Sequence, residues 1–297
     1  MTAKPMQPSL HRFTIVGAGG VGTQLGLGLR AAGLVPVQVI SRTQASAQPL
    51  AEALECDWAS DLAALDLQTD WLLLTVPDAQ LPAVVRQLAT LPLPPGLVVC
   101  HTAGSLGPEV LDELACQTGV FYPLQTLSRT RQVAWADIPI LLEGAPNVVE
   151  RLRQVADQLS HHVLEMPAAQ RQVLHIGAVF VANFTNALVL AAEQILTRLR
   201  QERAESAPED ADEAPGTLDL GQALNYRIYL PLLREVVAKL RDLRPHDAQT
   251  GPARRGDQSV MAGHRQYLQQ HHPELLGLYE GLSIFIEGVY NGMRERE

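Results

Sequence analysis

The chain changes its hydrophobic rhythm just past its middle. In the first half, short apolar runs recur at Phe13–Val16, Val35–Ile40, Trp71–Val76, Leu97–Cys100, Val120–Pro123 and Ile138–Leu142, with a last short one at His162–Met166. Most stop at glycine, proline, serine or aspartate, which is the signature of buried strands closed by turns. Between them lie stretches with helical spacing: one ending near Ala32 and Gly33, others from Gln44, over Ala79–Ala89, from Pro108, and over Asn147–Ser160. Strands alternating with helices at this spacing predict an α/β fold with a doubly wound, largely parallel sheet. The alternation stops at Met166 and Pro167, so a first domain is expected over 1–166 and an all-helical one over 168–297.

The second half begins with Gln170–Arg200, which reads as one long helix with apolar residues on nearly every face. All-round apolarity predicts burial on all sides, in a bundle or a subunit interface. His175, Asn183 and Asn186 interrupt it. In a regular helix His175 and Asn186 fall about 20° apart, and Asn183 about 80° from His175. Buried polar groups need partners; these three either satisfy one another and nearby backbone or line the wall of a cleft. Gln201–Gly216 is acidic and carries two prolines, and reads as a surface loop. Leu218–Asp242 reads as a helix kinked or divided by Pro231, and two more helices follow over Gln258–Gln270 and Pro273–Tyr290.

The first strand leads straight into Gly17, Ala18, Gly19, Gly20, Val21 and Gly22, and then into a helix. Strand, glycine turn and helix in that order form the context of a dinucleotide fingerprint. Gly17 permits the tight turn, Gly19 lacks the Cβ that would hold a pyrophosphate off the backbone, and Gly22 with Gly26 lets the helix approach the strand. The helix start then offers unpaired N–H groups to phosphate. At the end of the second strand, where NAD-binding folds carry an acidic residue for the ribose 2′-hydroxyl, the chain has Ser41, Arg42 and Thr43. A cation with two hydroxyls suits a 2′-phosphate, so NADP is favoured over NAD. The plainer reading is that Arg42 is solvated and Ser41 or Thr43 caps the next helix.

Two further loops fall at the same carboxyl edge of the sheet, where open α/β sheets bind ligands. One is Val76, Pro77 and Asp78, with Asp78 placed to cap the following helix; the other opens with His101 and Thr102 and either lies beside the nicotinamide or is a polar loop capping the helix from Pro108. In the second half Thr250, Gly251, Pro252, Ala253, Arg254, Arg255, Gly256 and Asp257 read as a turn before a helix. Asp257 stands at the N-cap place, and the two arginines either make an anion site for a substrate carboxylate or a cofactor phosphate, or are solvated beside a cap.

Composition narrows the partners. The formal net charge is −9 over 297 residues, and no Lys/Arg-rich tract stands out, which argues against nucleic acid. Three scattered cysteines without a Cys-x-x-Cys pair argue against a disulfide framework or a structural zinc, and suit a reducing cytosol. No apolar core of signal-peptide length precedes Phe13, and no uninterrupted run reaches membrane-spanning length. The expectation is a soluble cytoplasmic protein with no membrane partner and no metal.

Taken together, the Gly17–Gly22 turn, Val76-Pro77-Asp78, His101 to Gly104, Tyr122 to Thr126, Ala182-Asn183-Phe184 and Thr250 to Asp257 resemble one family. It is the bacterial Rossmann-like proteins with a helical C-terminal domain of unknown function, often labelled NADP oxidoreductases and related to pyrroline-5-carboxylate reductase and the deazaflavin-dependent NADP reductases. The resemblance covers nearly the whole chain. It implies a 6-phosphogluconate-dehydrogenase-like helical domain and a homodimer built across the long helix. Two departures stand out: Tyr122 replaces a histidine common in the family, and the acidic stretch 202–216 looks like an insertion.

The expected activity is an NADP-dependent oxidoreductase moving hydride between nicotinamide and a small carbonyl or imine substrate. In that reading His175 donates a proton, Asn183 orients the substrate and Arg255 holds a carboxylate. The alternatives are a dinucleotide-binding sensor or scaffold without turnover, and an enzyme of the prephenate dehydrogenase type. Lys239 is the sole lysine after Lys4, so the usual catalytic lysine of β-hydroxyacid dehydrogenases has no candidate but that one.

Overall fold

The computed structural model describes residues 10–206 and 224–294. These form two compact units that divide between Ala182 and Asn183.

The first unit is built on an eight-stranded sheet in the order β3-β2-β1-β4-β5-β6-β7-β8. Its strands are β1 (Arg12–Val16), β2 (Val35–Ile40), β3 (Asp57–Ala59), β4 (Trp71–Leu74), β5 (Val98–His101), β6 (Gln117–Pro123), β7 (Ile140–Gly144) and β8 (Val163–Glu165). All neighbours are parallel except β6 and β7, which pair antiparallel with Phe121 opposite Leu142. Strand β4 shows why the runs are continuously apolar: Trp71 and Leu73 enter the core on one face, Leu72 and Leu74 the core on the other. One face is covered by α1 (Gly20–Ala31), α2 (Gln44–Leu54) and α4 (Pro146–Leu159), the other by α3 (Leu81–Leu88). The doubly wound fold is therefore as expected, and its strand order reverses at β1, between β2 and β4.

Three local expectations are corrected. The segment from Pro108 forms only a 3₁₀ turn, Pro108–Leu111, in place of a helix, and the chain then re-enters the sheet as β6. Edge strand β3 carries no apolar run to announce it: its three residues include an aspartate and Trp58, which is 37% exposed. Asp78 does not cap a helix. It opens a 3₁₀ turn, Asp78–Gln80, that runs into α3, and its carboxylate accepts a hydrogen bond from the Ser105 hydroxyl at 3.2 Å.

The long helix starts with α5 (Ala168–Ala178), passes through a π-helical stretch, Val179–Phe184, and continues as α6 (Thr185–Ser206). A π turn holds more residues than an α turn, so the 20° separation of His175 and Asn186, reckoned for a regular helix, does not apply. Burial on all sides is not found either: Ile176 and Val181 are 54% and 76% exposed in this chain. By length and composition alone, the helix Ala168–Arg203 is apolar enough to cross a membrane, since Asn183, Thr185 and Asn186 interrupt the run without lowering its average much.

The second unit is helical. After α6 come a 3₁₀ turn (Tyr226–Tyr229), α7 (Leu230–Asp242), the single turns α8 (Pro245–Ala248) and α9 (Pro252–Arg255), α10 (Gln258–His271) and α11 (Pro273–Arg294). Pro231 does not kink a helix. It stands in the first turn of α7, where its missing N–H costs nothing. The first residues of the expected acidic loop, Gln201–Ser206, are helical, with Arg198 and Glu202 paired one turn apart at 2.8 Å; the rest of that loop and the start of the expected Leu218 helix lie outside the described residues.

Candidate functional site

The glycine turn is held by the sheet on both sides. The Gly17 N–H donates to the Ile40 carbonyl at 2.7 Å, and the Thr75 N–H donates to the Val16 carbonyl at 2.8 Å. Gly17 has φ +108°, a conformation that favours glycine, and a Cβ there would stand 2.9 Å from the Thr75 backbone. At Gly22 a Cβ would meet the Gly17 carbonyl at 2.1 Å, so glycine is what lets α1 sit this close to β1. Gly19 differs from both. It is the N-cap of α1, and a Cβ built there meets nothing within 4 Å. The space above it is open.

That space belongs to a cavity of about 670 Å³ at the carboxyl edge of β1, β2 and β4. Gly17, Ala18 and Gly19 form its floor-side backbone, Ser41, Arg42 and Thr43 the end of β2, and Val76 and Pro77 the end of β4. Gly20, Val21 and Gly22 lie in the first turn of α1 and do not line it. Arg42 is exposed. The hydroxyls of Ser41 and Thr43 both bond the Ser46 hydroxyl, at 2.9 and 2.8 Å. Thr43 occupies the N-cap position of α2 without a side-chain capping bond, so the expected cap from either hydroxyl is absent. Sequence reasoning missed Ser46, Gln80, Gln87 and Arg129, which also line the cavity. Arg129 sits in a polar stretch without periodicity, and nothing local marks it.

An anion over Gly19 would meet backbone N–H groups at the start of α1, with no acidic residue in that first turn to repel it. The open approach at Gly19 and the cation and hydroxyls after β2 fit a phosphate-bearing nucleotide.

A second cluster lies beyond the ends of β4, β5 and β6. His101 is fully buried, and both ring nitrogens are engaged: Nδ1 accepts the Ala103 N–H at 3.1 Å, and Nε2 faces the Gly107 carbonyl at 3.0 Å. Burial pushes its imidazole below the ordinary value, so the neutral ring organises the loop from Ala103 to Gly107. Thr102 turns back on the Leu74 carbonyl. Neither residue, nor Asp78, lines the cavity.

In the same cluster the Tyr122 hydroxyl and His175 Nδ1 are hydrogen-bonded at 3.1 Å, over Gly104, where a Cβ would meet both side chains at about that distance. Burial, with the Asp78 charge second, pushes the Tyr122 phenol above its ordinary value, so it keeps its proton. His175 is exposed. Its helix is fixed one turn earlier by Arg171, a fully buried side chain that donates to the Glu143 carboxylate, the Met166 carbonyl and the Leu106 carbonyl.

Asn183 and Arg255 belong to the second unit, and both are exposed. Arg255 ends the turn α9. Its neighbour Arg254 is committed elsewhere: it donates to the Asp247 and Gln249 carbonyls and lies 5.1 Å over the Tyr290 ring. Asp257 does cap α10, accepting the Val260 N–H at 3.3 Å.

Comparison with known proteins agrees with this layout. Residues 1–125 match the Rossmann-like domain, and residues 138–285 match a domain of unknown function, DUF2520. A solved structure from Bacteroides fragilis, named a "putative NADP oxidoreductase", is 30% identical with TM-score 0.82, over 94% of this chain and 98% of that one. The chain belongs to this Rossmann-like, DUF2520-bearing family. A Thermotoga maritima protein shares the fold at 21% identity and TM-score 0.71, over 94% of this chain and 99% of its own. The fold extends to the prephenate dehydrogenase of A. aeolicus, solved with NAD+, at 14% identity and TM-score 0.52, over 99% and 100% of the two chains. No curated protein matches the chain.

Proposed function

We propose that this family member is an NADP-dependent oxidoreductase acting on a small carbonyl or imine substrate. The observation that carries the reading is the cavity over Gly19, walled by Ser41, Arg42 and Thr43 at the end of β2, whose one lining carboxylate among the described residues, Asp61, follows β3 and accepts the Ala63 N–H. Bound there, the dinucleotide supplies a hydride for the substrate carbon. The turn Gly17 to Gly22 receives the pyrophosphate, Arg42 with its two hydroxyl neighbours receives the 2′-phosphate, and Val76 and Pro77 flank the cofactor at β4. The name of the B. fragilis relative supports NADP.

The chain must also move a proton, because hydride arriving at carbon leaves the substrate oxygen or nitrogen to be protonated. The Tyr122–His175 pair suits this transfer, since one member gives a proton to the heteroatom and the other restores it through their shared hydrogen bond. Asn183 orients the substrate, and Arg255 holds a carboxylate on it. We assign residues 1–166 to the cofactor and 168–297 to substrate and dimer contacts, in a cytoplasmic homodimer whose three free thiols suit a reducing compartment.

Titration with NADPH and NADH, followed by nicotinamide fluorescence, and with the oxidised forms by displacement of the reduced ones, tests the reading. NADPH should bind tightly and selectively, and Arg42→Glu should weaken it roughly ten- to a hundredfold while leaving NADH unchanged. No binding by any of the four would end the oxidoreductase reading. A selective binder then enters a screen of imines, ketones and hydroxy acids.

A further inference from the structure

Three residues of α1 face one strand of chain that returns after β6. Gly20, Gln24 and Gly28 are spaced by four and lie along one side of the helix. At Gly20 the Leu127 carbonyl oxygen stands 2.2 Å from where a Cβ would be. At Gln24, which is 2% exposed, the side-chain amide donates to the Ser128 carbonyl at 2.8 Å. At Gly28 the Trp135 indole nitrogen stands 2.4 Å from a built Cβ. The two glycines thus form a bed for the segment 127–135, and Gln24 ties it down.

Neither glycine lines the cavity, and Gly28 lies two turns further along the helix. What the strap accomplishes is to bring Arg129 into the wall of the cavity that also exposes Gly17 and Gly19. Arg129 has no ion-pair partner among the described residues. A guanidinium and open backbone N–H groups that line one cavity make a two-sided receptor for a diphosphate.

We propose that the segment Leu127–Arg129 is a fixed strap over the start of α1 and that Arg129 pairs with the pyrophosphate of the bound dinucleotide. This rests on the dinucleotide reading above. Arg129 then reads what NADPH and NADH share, whereas Arg42 reads what separates them.

The test is a set of titrations on the full chain with NADPH, NADH and 2′-AMP, which lacks a pyrophosphate. Arg129 is exposed, so Arg129→Gln should fold. It should weaken NADPH and NADH by the same factor, roughly tenfold or more, and leave 2′-AMP unchanged. Equal affinities for wild type and variant would overturn the proposal while leaving the dinucleotide reading intact. A loss confined to NADPH would also overturn it, by moving Arg129 to the 2′-phosphate. Wild-type protein that binds neither dinucleotide would remove both readings together. Gln24→Met, which frees the strap without touching the ligand, supplies the second variant. In that background Arg129→Gln should cost less than it does alone; strict additivity would show that the strap does not position Arg129.

Discussion

The Tyr122 hydroxyl lies 3.1 Å from His175 Nδ1, although the two residues are separated by the whole of β7, α4 and β8. What holds them together is one turn away. Arg171 precedes His175 by four residues, so both project from the same side of α5. Its guanidinium, fully buried, bridges Glu143 on β7, the Met166 carbonyl after β8 and the Leu106 carbonyl in the loop organised by His101.

That arrangement makes Arg171 costly to change. Arg171→Met should destabilise the protein by about 3 kcal/mol, because it removes a fully buried side chain that donates to the Glu143 carboxylate and to two carbonyls. Arg171→Lys should recover less than half of the loss, since one ammonium cannot span three acceptors in fixed directions. Urea denaturation of both variants measures this. A loss below about 1 kcal/mol for the methionine variant would mean the bridge is ornamental.

Tyr122→Phe should separate chemistry from folding. His175 is exposed and can bond water once the hydroxyl is gone, so stability should change by less than about 1 kcal/mol. NADPH binding should be unaffected, because neither ring lines the cavity. Turnover of a reducible substrate returned by the screen should fall about 10²- to 10⁴-fold. Unchanged turnover would take the proton-transfer role away from the pair.

His101 predicts a pH dependence. Its pKa in the folded protein is lowered from 6.5 by burial. Below that value the unfolded chain binds a proton that the folded one resists, so unfolding gains and stability falls as pH drops. Stability from this group is complete above about pH 6.5 and declines as acid approaches the lower folded value. Denaturation midpoints between about pH 7.5 and 5 should therefore slope downward toward acid, and His101→Asn should flatten part of that slope. Parallel profiles for the two proteins would contradict the assignment.

The glycine turn, the strands flanking it and the residues after β2 were readable in the sequence because each is a local statement. A strand buried on both faces must be apolar throughout, and a turn at φ +108°, as at Gly17, favours glycine. The antiparallel run of β7 beside β6 could not be read, since periodicity says which residues are buried but not which way the strand runs. Edge strand β3 was invisible because three half-exposed residues carry no pattern. Gly20 and Gly28 were visible as glycines, but their reason was not: both answer a chain segment more than 100 residues away. Tyr122 was read only as a departure from the family, because its partner is fixed by α5 and not by its neighbours in sequence. The π stretch, Val179–Phe184, has no proline or other local mark that would have disclosed it.

The exposed apolar faces carry the last prediction. In the first unit Ile176 and Val181 are uncovered, and in the second Ile284 and Phe285 are 65% and 69% exposed. Apolar surface of that extent marks an interaction site in a soluble protein. A second copy of the chain is the simplest cover, since a two-fold axis lets one patch bury itself against its equal. Light scattering at micromolar concentration should accordingly give a dimer in plain buffer. Phe285→Asp should shift it to monomer, because a carboxylate would be buried without a partner, while NADPH binding at the glycine turn is retained. A wild-type monomer in solution would remove the dimer. Protein recovered only with detergent would assign the long helix, Ala168–Arg203, to a bilayer instead.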